Sequence, residues 1–143
     1  MLYEEIYGDL FKVDSSYTLA HCISADCKMG AGIAKLFVKH NPEMRKVLQS
    51  VNPKISDAIC YTGGNRHNVI NLITKERYFH KPTRENFNKA IIEMKRLALS
   101  YNIKKIAIPQ IGSGLDRLNW KESSKFIREV FSDTDIEILV CIK

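Results

Sequence analysis

The chain has 143 residues, 45% of them apolar, and a formal charge of +6; that length suits one compact domain with a proper core. It holds no 18-residue apolar run that would span a membrane, and its opening MLYEEIYGDL is acidic and lacks the charged-then-apolar layout of a secretion signal, so the expectation is a soluble monomer of the cytoplasm, or of the nucleus in a eukaryotic cell. The positive balance favours an anionic partner such as nucleic acid, nucleotide or phosphate, yet the basic residues are spread out, with no arginine-rich tail and no alternating basic and aromatic run, which favours a solvated basic surface over a dedicated nucleic-acid groove.

Residues 3–7 read as a strand ended by Gly8-Asp9. Residues 17–23, YTLAHCI, form a second apolar strand, followed by the loop SADCKMGAG. A helix from about Ile33 to His40 sets Ile33, Leu36 and Phe37 on one face. Asn41-Pro42 breaks it and starts a short helix through Met44 and Leu48. Two strands near 57–62 and 67–74 flank a hairpin signal, Gly63-Gly64-Asn65. The clearest helix is 84–101, where Phe87, Ala90, Ile91, Met94, Leu97, Ala98 and Tyr101 are spaced as one buried face, with Thr83 as its N-cap. A strand at 105–109 leads into a Gly-Ser-Gly loop. Asn119 and Glu122 then resemble a capping box for a last helix whose apolar face is Phe126, Ile127, Val130 and Phe131. Residues 136–142, IEILVCI, are a continuous apolar run and read as a strand buried on both faces. The alternation predicts one α/β domain over 1–143, with a mixed, mostly parallel sheet between helical layers.

In an open α/β sheet, ligands bind beyond the carboxyl ends of the strands. Three loops fall there: Gly8-Asp9-Leu10-Phe11, the stretch from Ser24 to Gly32, and PQIGSGLDRLNW at 109–120. Glycines let backbone approach a ligand, and helix N-termini offer free N–H groups to anions, so two Gly-rich loops opening onto helices suit a diphosphate. Neither is a Walker loop and neither completes GxGxxG; Gly30-Ala31-Gly32 and Gly112-Ser113-Gly114 are each only GxG. A fourth stretch, NLITKERYFHKPT, ends a strand in Lys75 and crowds Arg77, His80 and Lys81 after it. Crowded cations lower a lysine pKa and expose a neutral amine nucleophile. Cys22, Cys27, Cys60 and Cys141 form no CxxC pair and have no His at zinc-ligand spacing, so they read as free, mostly buried thiols, with Cys27 in its polar loop the one candidate nucleophile. Asp116 stands beside Arg117, and the two would pair if nothing else claimed them.

Gly8-Asp9-Leu10-Phe11, AHCISADCKMGAGIA (20–34), LITKERYFHKPT (72–83) and PQIGSGLDRLNW, in that order, resemble the macrodomain family, in particular its terminal ADP-ribose protein glycohydrolase branch. The resemblance implies a three-layer α/β/α fold with a six-stranded mixed sheet that binds ADP-ribose. It places the adenine contact on Asp9 with the Leu10 backbone, a ligand contact on Ser24, and the diphosphate and distal ribose on two loops. One holds Met29, Gly30, Ala31, Gly32 and Ile33; the other holds Gln110, Ile111, Gly112, Ser113, Gly114 and Leu115. It places the catalytic lysine on Lys75 and the catalytic aspartate on Asp116, with no metal and no cofactor. The implied activity removes ADP-ribose from glutamate and aspartate esters of proteins or from O-acyl-ADP-ribose. The alternatives are an ADP-ribose-binding module without turnover, or a hydrolase of ADP-ribosylated nucleic acid such as DNA.

Overall fold

The computed structural model describes residues 1–64 and 66–143; Asn65, part of the expected hairpin signal, lies outside them. The elements follow in the order β1 (Leu2–Tyr7), β2 (Thr18–Ser24), α1 (Gly32–His40), α2 (Met44–Ser50), β3 (Ala58–Tyr61), β4 (Val69–Lys75), α3 (Arg84–Ser100), β5 (Lys105–Ile108), α4 (Trp120–Phe131) and β6 (Glu137–Ile142). A 3-10 turn at Leu10–Lys12, which has no counterpart in the sequence reading, follows β1. No helix among the described residues is long and apolar enough to cross a membrane.

The strands form one sheet in the order β1-β6-β5-β2-β4-β3, parallel except for the β3–β4 pair. This is the expected mixed sheet. Its two faces are written into the strands by alternation. Ala20, Ile70, Leu72, Ile106, Ile108, Ile138 and Val140 pack with Phe87, Ile91 and Met94 of α3 and Ile127 and Phe131 of α4. Leu19, Ile23, Val69, Ile73, Ala107, Leu139 and Cys141 pack with Phe37 of α1 and Met44 and Leu48 of α2. With both faces covered, the central strands carry few polar side chains, which is why IEILVCI is apolar but for Glu137 at the start of β6.

The helix starts follow the expected chemistry. Thr83 accepts from the Asn86 N–H at 3.0 Å, and Asn119 accepts from the Glu122 N–H at 3.0 Å. Only half of the capping box forms, because the Glu122 carboxylate turns to Arg84, 3.6 Å away. Two residues leave their expected faces. Tyr101 is exposed because α3 has ended and the next residue, Asn102, turns left-handed. Leu36 is exposed because it lies on the side of α1 that borders the cleft described below.

One irregularity positions the site. β2 and β4 pair residue for residue from Leu19↔Val69 to Ile23↔Ile73, then slip so that Ser24 meets Lys75. Thr74 is the extra residue, fully buried. Bulges of this kind re-aim the side chain that follows. Beyond the slip the two chains stay together: Ala25 N–H donates to the Lys75 carbonyl at 2.8 Å and Asp26 N–H to the Glu76 carbonyl at 3.2 Å.

Candidate functional site

The parallel strands β1, β2, β4, β5 and β6 end on the same edge of the sheet, and a cleft of about 910 Å³ opens there. That is large for one small-molecule site and suits an extended ligand. The residues after each strand supply its walls, as the parallel arrangement dictates.

After β1, Asp9 caps the 3-10 turn: its Oδ1 accepts from the Phe11 N–H at 2.9 Å. The turn sends the Leu10 side chain into the core and leaves its backbone beside the cleft. After β2, the loop from Ser24 is tied down by Asp26. Its carboxylate accepts from the Ser24 hydroxyl, from Lys28 N–H at 3.2 Å and from Tyr78 N–H at 3.0 Å. Burial pushes this carboxyl up, but the Ser24, Tyr78 and Lys28 bonds outweigh it and hold it below the ordinary aspartate value. Ser24 has given its one proton to Asp26, so toward the cleft it acts as an acceptor.

Cys27 and Met29 take left-handed backbone, at φ +53° and +49°. Both side chains are buried in the core under α1, which offsets the cost of that conformation. The burial also removes Cys27 as a nucleophile: its thiol is inaccessible, donates to the Ala25 carbonyl at 3.6 Å, and is pushed up by desolvation. The loop delivers Gly30 and Ala31 to the surface and starts α1 at Gly32. Ala31 is the N-cap residue and has no side chain to cap with, so the first-turn N–H groups of α1 face the cleft unclaimed by a cap. An anionic group is the natural partner for them.

The opposite wall is the loop after β5. It is built as nested turns: Ser113 N–H bonds the Gln110 carbonyl at 3.2 Å, Arg117 N–H the Gly114 carbonyl at 3.1 Å, and Leu118 N–H the Gly112 carbonyl at 2.6 Å. Gly112 sits at φ +76°, and a Cβ there would lie 3.0 Å from the Phe87 ring and 3.2 Å from Leu118. Ile111 anchors the loop in the core. The exposed Leu115 reaches across to the other loop; a Cβ on Gly32 would stand 3.0 Å from its Cδ1. The two Gly-rich loops therefore meet over the cleft and partly roof it.

Lys75 and Asp116 meet in this cleft. Lys75 Nζ lies 2.7 Å from Asp116 Oδ1, with the two side chains 12% and 14% exposed. The register slip aims the lysine, and the turn at Arg117, left-handed at φ +60°, closes behind the aspartate. Asp116 pairs with Lys75 and not with its neighbour; Arg117 points to solvent. A lysine and a carboxylate in direct contact can pass a proton between them. Beside them the Cys22 thiol is pushed far up, by burial first and by Asp116 second, so it stays neutral.

All the residues expected at the site line this one cleft: Asp9, Leu10, Ser24, Met29 to Ile33, Lys75, and Gln110 to Asp116. Asn119 and Trp120 do not; Asn119 is spent on capping α4. The sequence reading gives no site role to several other lining residues, among them His21, Arg45 and Tyr78, and none to Asp26. His21 is fully buried against the Phe37 ring, with centroids 3.8 Å apart, and bonds Asn71 Oδ1 at 2.7 Å. Because a carbonyl oxygen only accepts, His21 Nε2 carries the proton. Desolvation lowers this imidazole to about 4, against the opposing pull of Asn71, so it is neutral at neutral pH.

The sequence pattern described as Macro domain matches residues 20–127. The protein named ADP-ribose glycohydrolase OARD1 from Homo sapiens is 43% identical over 135 residues, which span 94% of this chain and 88% of that protein. The DNA ADP-ribosyl glycohydrolase of Mycobacterium tuberculosis is 25% identical over 142 residues, covering 93% of this chain and 40% of that one. Among solved structures, the macrodomain of Mycobacterium tuberculosis DarG superposes with a TM-score of 0.90 at 22% identity, covering 98% of this chain and 97% of that one.

Proposed function

The chain belongs to the Macro domain family, and from that premise we propose that it is an ADP-ribosyl hydrolase that binds ADP-ribose in the cleft and releases it from carboxylate esters, using Lys75 and Asp116. The observation that carries this reading is the 2.7 Å contact between Lys75 Nζ and Asp116 Oδ1 inside the cleft. A module that only bound ADP-ribose would have no use for a mostly desolvated amine–carboxylate pair at that place.

The chemistry follows from the residue types. A ribose esterified at its anomeric carbon carries a good leaving group. Asp116 takes a proton from the Lys75 ammonium, and the free amine attacks that carbon. The carbon–oxygen ester bond breaks and the acceptor carboxylate leaves with the electron pair. That carboxylate takes up the proton Asp116 had accepted, so Asp116, ionised again, deprotonates the water that hydrolyses the new nitrogen–carbon adduct, returning the amine and free ADP-ribose. The diphosphate is held by the uncapped first turn of α1 and by the backbone of Gly112–Leu115, and the adenine by Asp9 and the Leu10 backbone. The ligand is thereby fixed at two points on either side of the reacting carbon, which is where positioning lowers the barrier. Proteins modified on acidic side chains, and O-acyl-ADP-ribose whose acyl group sits on the anomeric oxygen, present this ribose ester and are the substrates of this reading.

Lys75→Ala is expected to abolish release of ADP-ribose from a glutamate-modified protein while calorimetry still registers binding of free ADP-ribose. Wild-type turnover by that variant would overturn the lysine mechanism. Absence of any binding at millimolar ADP-ribose by the unaltered protein would overturn the assignment of the cleft.

A further inference from the structure

The formal charge of +6 is not spread evenly over the fold. Residues 28–54 carry α1, α2 and the chain on either side of them. They hold six cations, Lys28, Lys35, Lys39, Arg45, Lys46 and Lys54, against the single acid Glu43. All six are exposed, and among the described residues none of them forms an ion pair. The other side of the sheet is different. There Lys89 pairs with Glu85 at 3.1 Å, Arg96 with Glu93 at 2.8 Å, Lys95 with Asp133 at 2.7 Å and Lys104 with Asp135 at 3.2 Å. Cations on the α3–α4 side meet their acids within the molecule; those on the α1–α2 side do not.

The helices turn this charge outward. Lys35 and Lys39 stand one turn apart on the side of α1 opposite the buried Phe37, and Lys46 stands opposite Met44 and Leu48 on α2. Like charges at that spacing disfavour a helix, so the fold itself gains nothing from them. The acids beside the patch are the exposed Glu43, Asp26, which three donors already occupy, and Asp57, which accepts from Lys54 N–H at 2.9 Å. Lys28 and Arg45 carry the patch to the lip of the cleft, whose lining includes both, while Lys35, Lys39 and Lys46 lie outside it. An unmatched cationic surface calls for an anionic partner. The groups between the cations say which kind. Leu36, Val47 and Val51 are exposed there and are all aliphatic. The one exposed ring of the stretch, His40, is already stacked on Phe11 with centroids 4.3 Å apart. Aliphatic groups among cations suit polypeptide side chains and offer no platform for bases, which bind single strands by stacking on rings. The acceptor of the proposed reaction is itself a polypeptide, joined through a carboxylate, and it must leave the cleft past its rim.

We propose that the α1–α2 surface carrying Lys35, Lys39 and Lys46 is a docking site, outside the cleft, for an acidic polypeptide segment: the glutamate- or aspartate-rich chain that flanks the modified residue of the acceptor. This rests on the hydrolase reading and adds to it how the site selects among acceptors. The test uses the full chain and a labelled, unmodified glutamate-rich peptide of about 12 residues, up to roughly 40 Å when extended and so longer than either helix. Its controls are a counterpart with glutamine for glutamate and a single-stranded DNA of equal charge. By fluorescence anisotropy the wild type is expected to bind the acidic peptide at low salt, to lose it as salt rises, and to ignore the glutamine counterpart. Lys35→Gln/Lys39→Gln/Lys46→Gln should weaken binding by roughly tenfold; it removes only exposed like charges, so its melting point should not fall. Lys46→Glu alone should give part of the same loss. In turnover, a peptide ADP-ribosylated on glutamate between acidic neighbours should have a KM roughly tenfold below that of one with glutamine neighbours, at equal kcat. The triple variant should lose that difference and keep wild-type kinetics on O-acetyl-ADP-ribose acylated at the anomeric oxygen. No binding of the acidic peptide by the wild type, equal binding by the triple variant, or an unchanged KM difference in it would each overturn the docking site. Tighter binding of the DNA than of the peptide, equally dependent on the three lysines, would overturn it in favour of a nucleic acid. Binding of the unmodified peptide needs no ADP-ribose chemistry, so failure of the hydrolase reading would register separately, as absence of turnover on every substrate.

Discussion

Acid should find a specific weakness beneath the cleft. His21 is fully buried, holds its proton on Nε2 for Asn71, and is lowered by desolvation to about 4 from an ordinary 6.5. Between those two values the unfolded chain binds a proton that the folded chain refuses, so stability rises with pH across that window. Its contribution is fully present above about 6.5 and is lost as pH falls toward 4. The imidazole has no solvent to screen it, and the shift corresponds to a loss of about 2 kcal/mol between pH 7 and pH 5, and about 3 kcal/mol by pH 4. Carboxylates such as Asp26 add their own acid sensitivity at lower pH. The His21 part is isolated by comparing urea unfolding of the wild type with that of His21→Phe/Asn71→Leu, in which both hydrogen-bonding partners become apolar and the stack on Phe37 is kept. The double variant should lose about 2 kcal/mol less than the wild type on going from pH 7 to pH 5. Parallel losses in the two proteins would refute a neutral buried His21.

Gly112→Ala places a methyl group against Phe87 and Leu118 in left-handed backbone; urea unfolding should report a loss of about 1–3 kcal/mol, and calorimetry a weaker ADP-ribose interaction because the loop shifts. Thr83→Ala removes the oxygen that caps Asn86 N–H and should cost about 1 kcal/mol, seen as a melting point lower by roughly 3–4 °C. Asp116→Ala should slow turnover, and intact-mass measurement during reaction should reveal a lysine-linked ribosyl adduct whose hydrolysis has lost its base; unaltered turnover would remove Asp116 from the mechanism.

Much of the architecture was legible because it is local. Apolar alternation in β2 and β4, the spacing of Phe87 to Ala98 in α3, and the caps at Thr83 and Asn119 depend only on near neighbours, and the structure reproduces them. Residues 10–12 were missed as a turn because three residues carry no periodicity. The left-handed backbone at Cys27 and Met29 gave no signal either, since neither is glycine and what holds them is burial under α1. Reading the residues alone could mark Lys75 and Asp116 as unusual but could not bring them together. Their strands are not neighbours in the sheet; β2 lies between β4 and β5. Only the family resemblance paired them, and the local reading favoured Arg117 as the partner of Asp116. Asp26 escaped notice in part for a related reason: its bonds from Ser24 and Lys28 are local, but the third, from Tyr78 N–H, comes from the segment that follows β4.

The strand order also governs time. β1 pairs only with β6, from Leu2↔Glu137 onward, so the first strand made waits for the last. Contacts of such separation are formed late and slowly. Until β6 arrives, β1 is a lone strand with free edges, and the loop carrying Asp9 has no fixed place beside the others. The β2–β4 core with α3 can condense earlier, which would align Ser24 with Lys75 before the remaining walls exist. Ligand competence should therefore be the final event of refolding: in a stopped-flow experiment, recovery of ADP-ribose binding should lag the burial of the α3 face, and a chain paused in synthesis before residue 137 would hold a formed core without a working cleft.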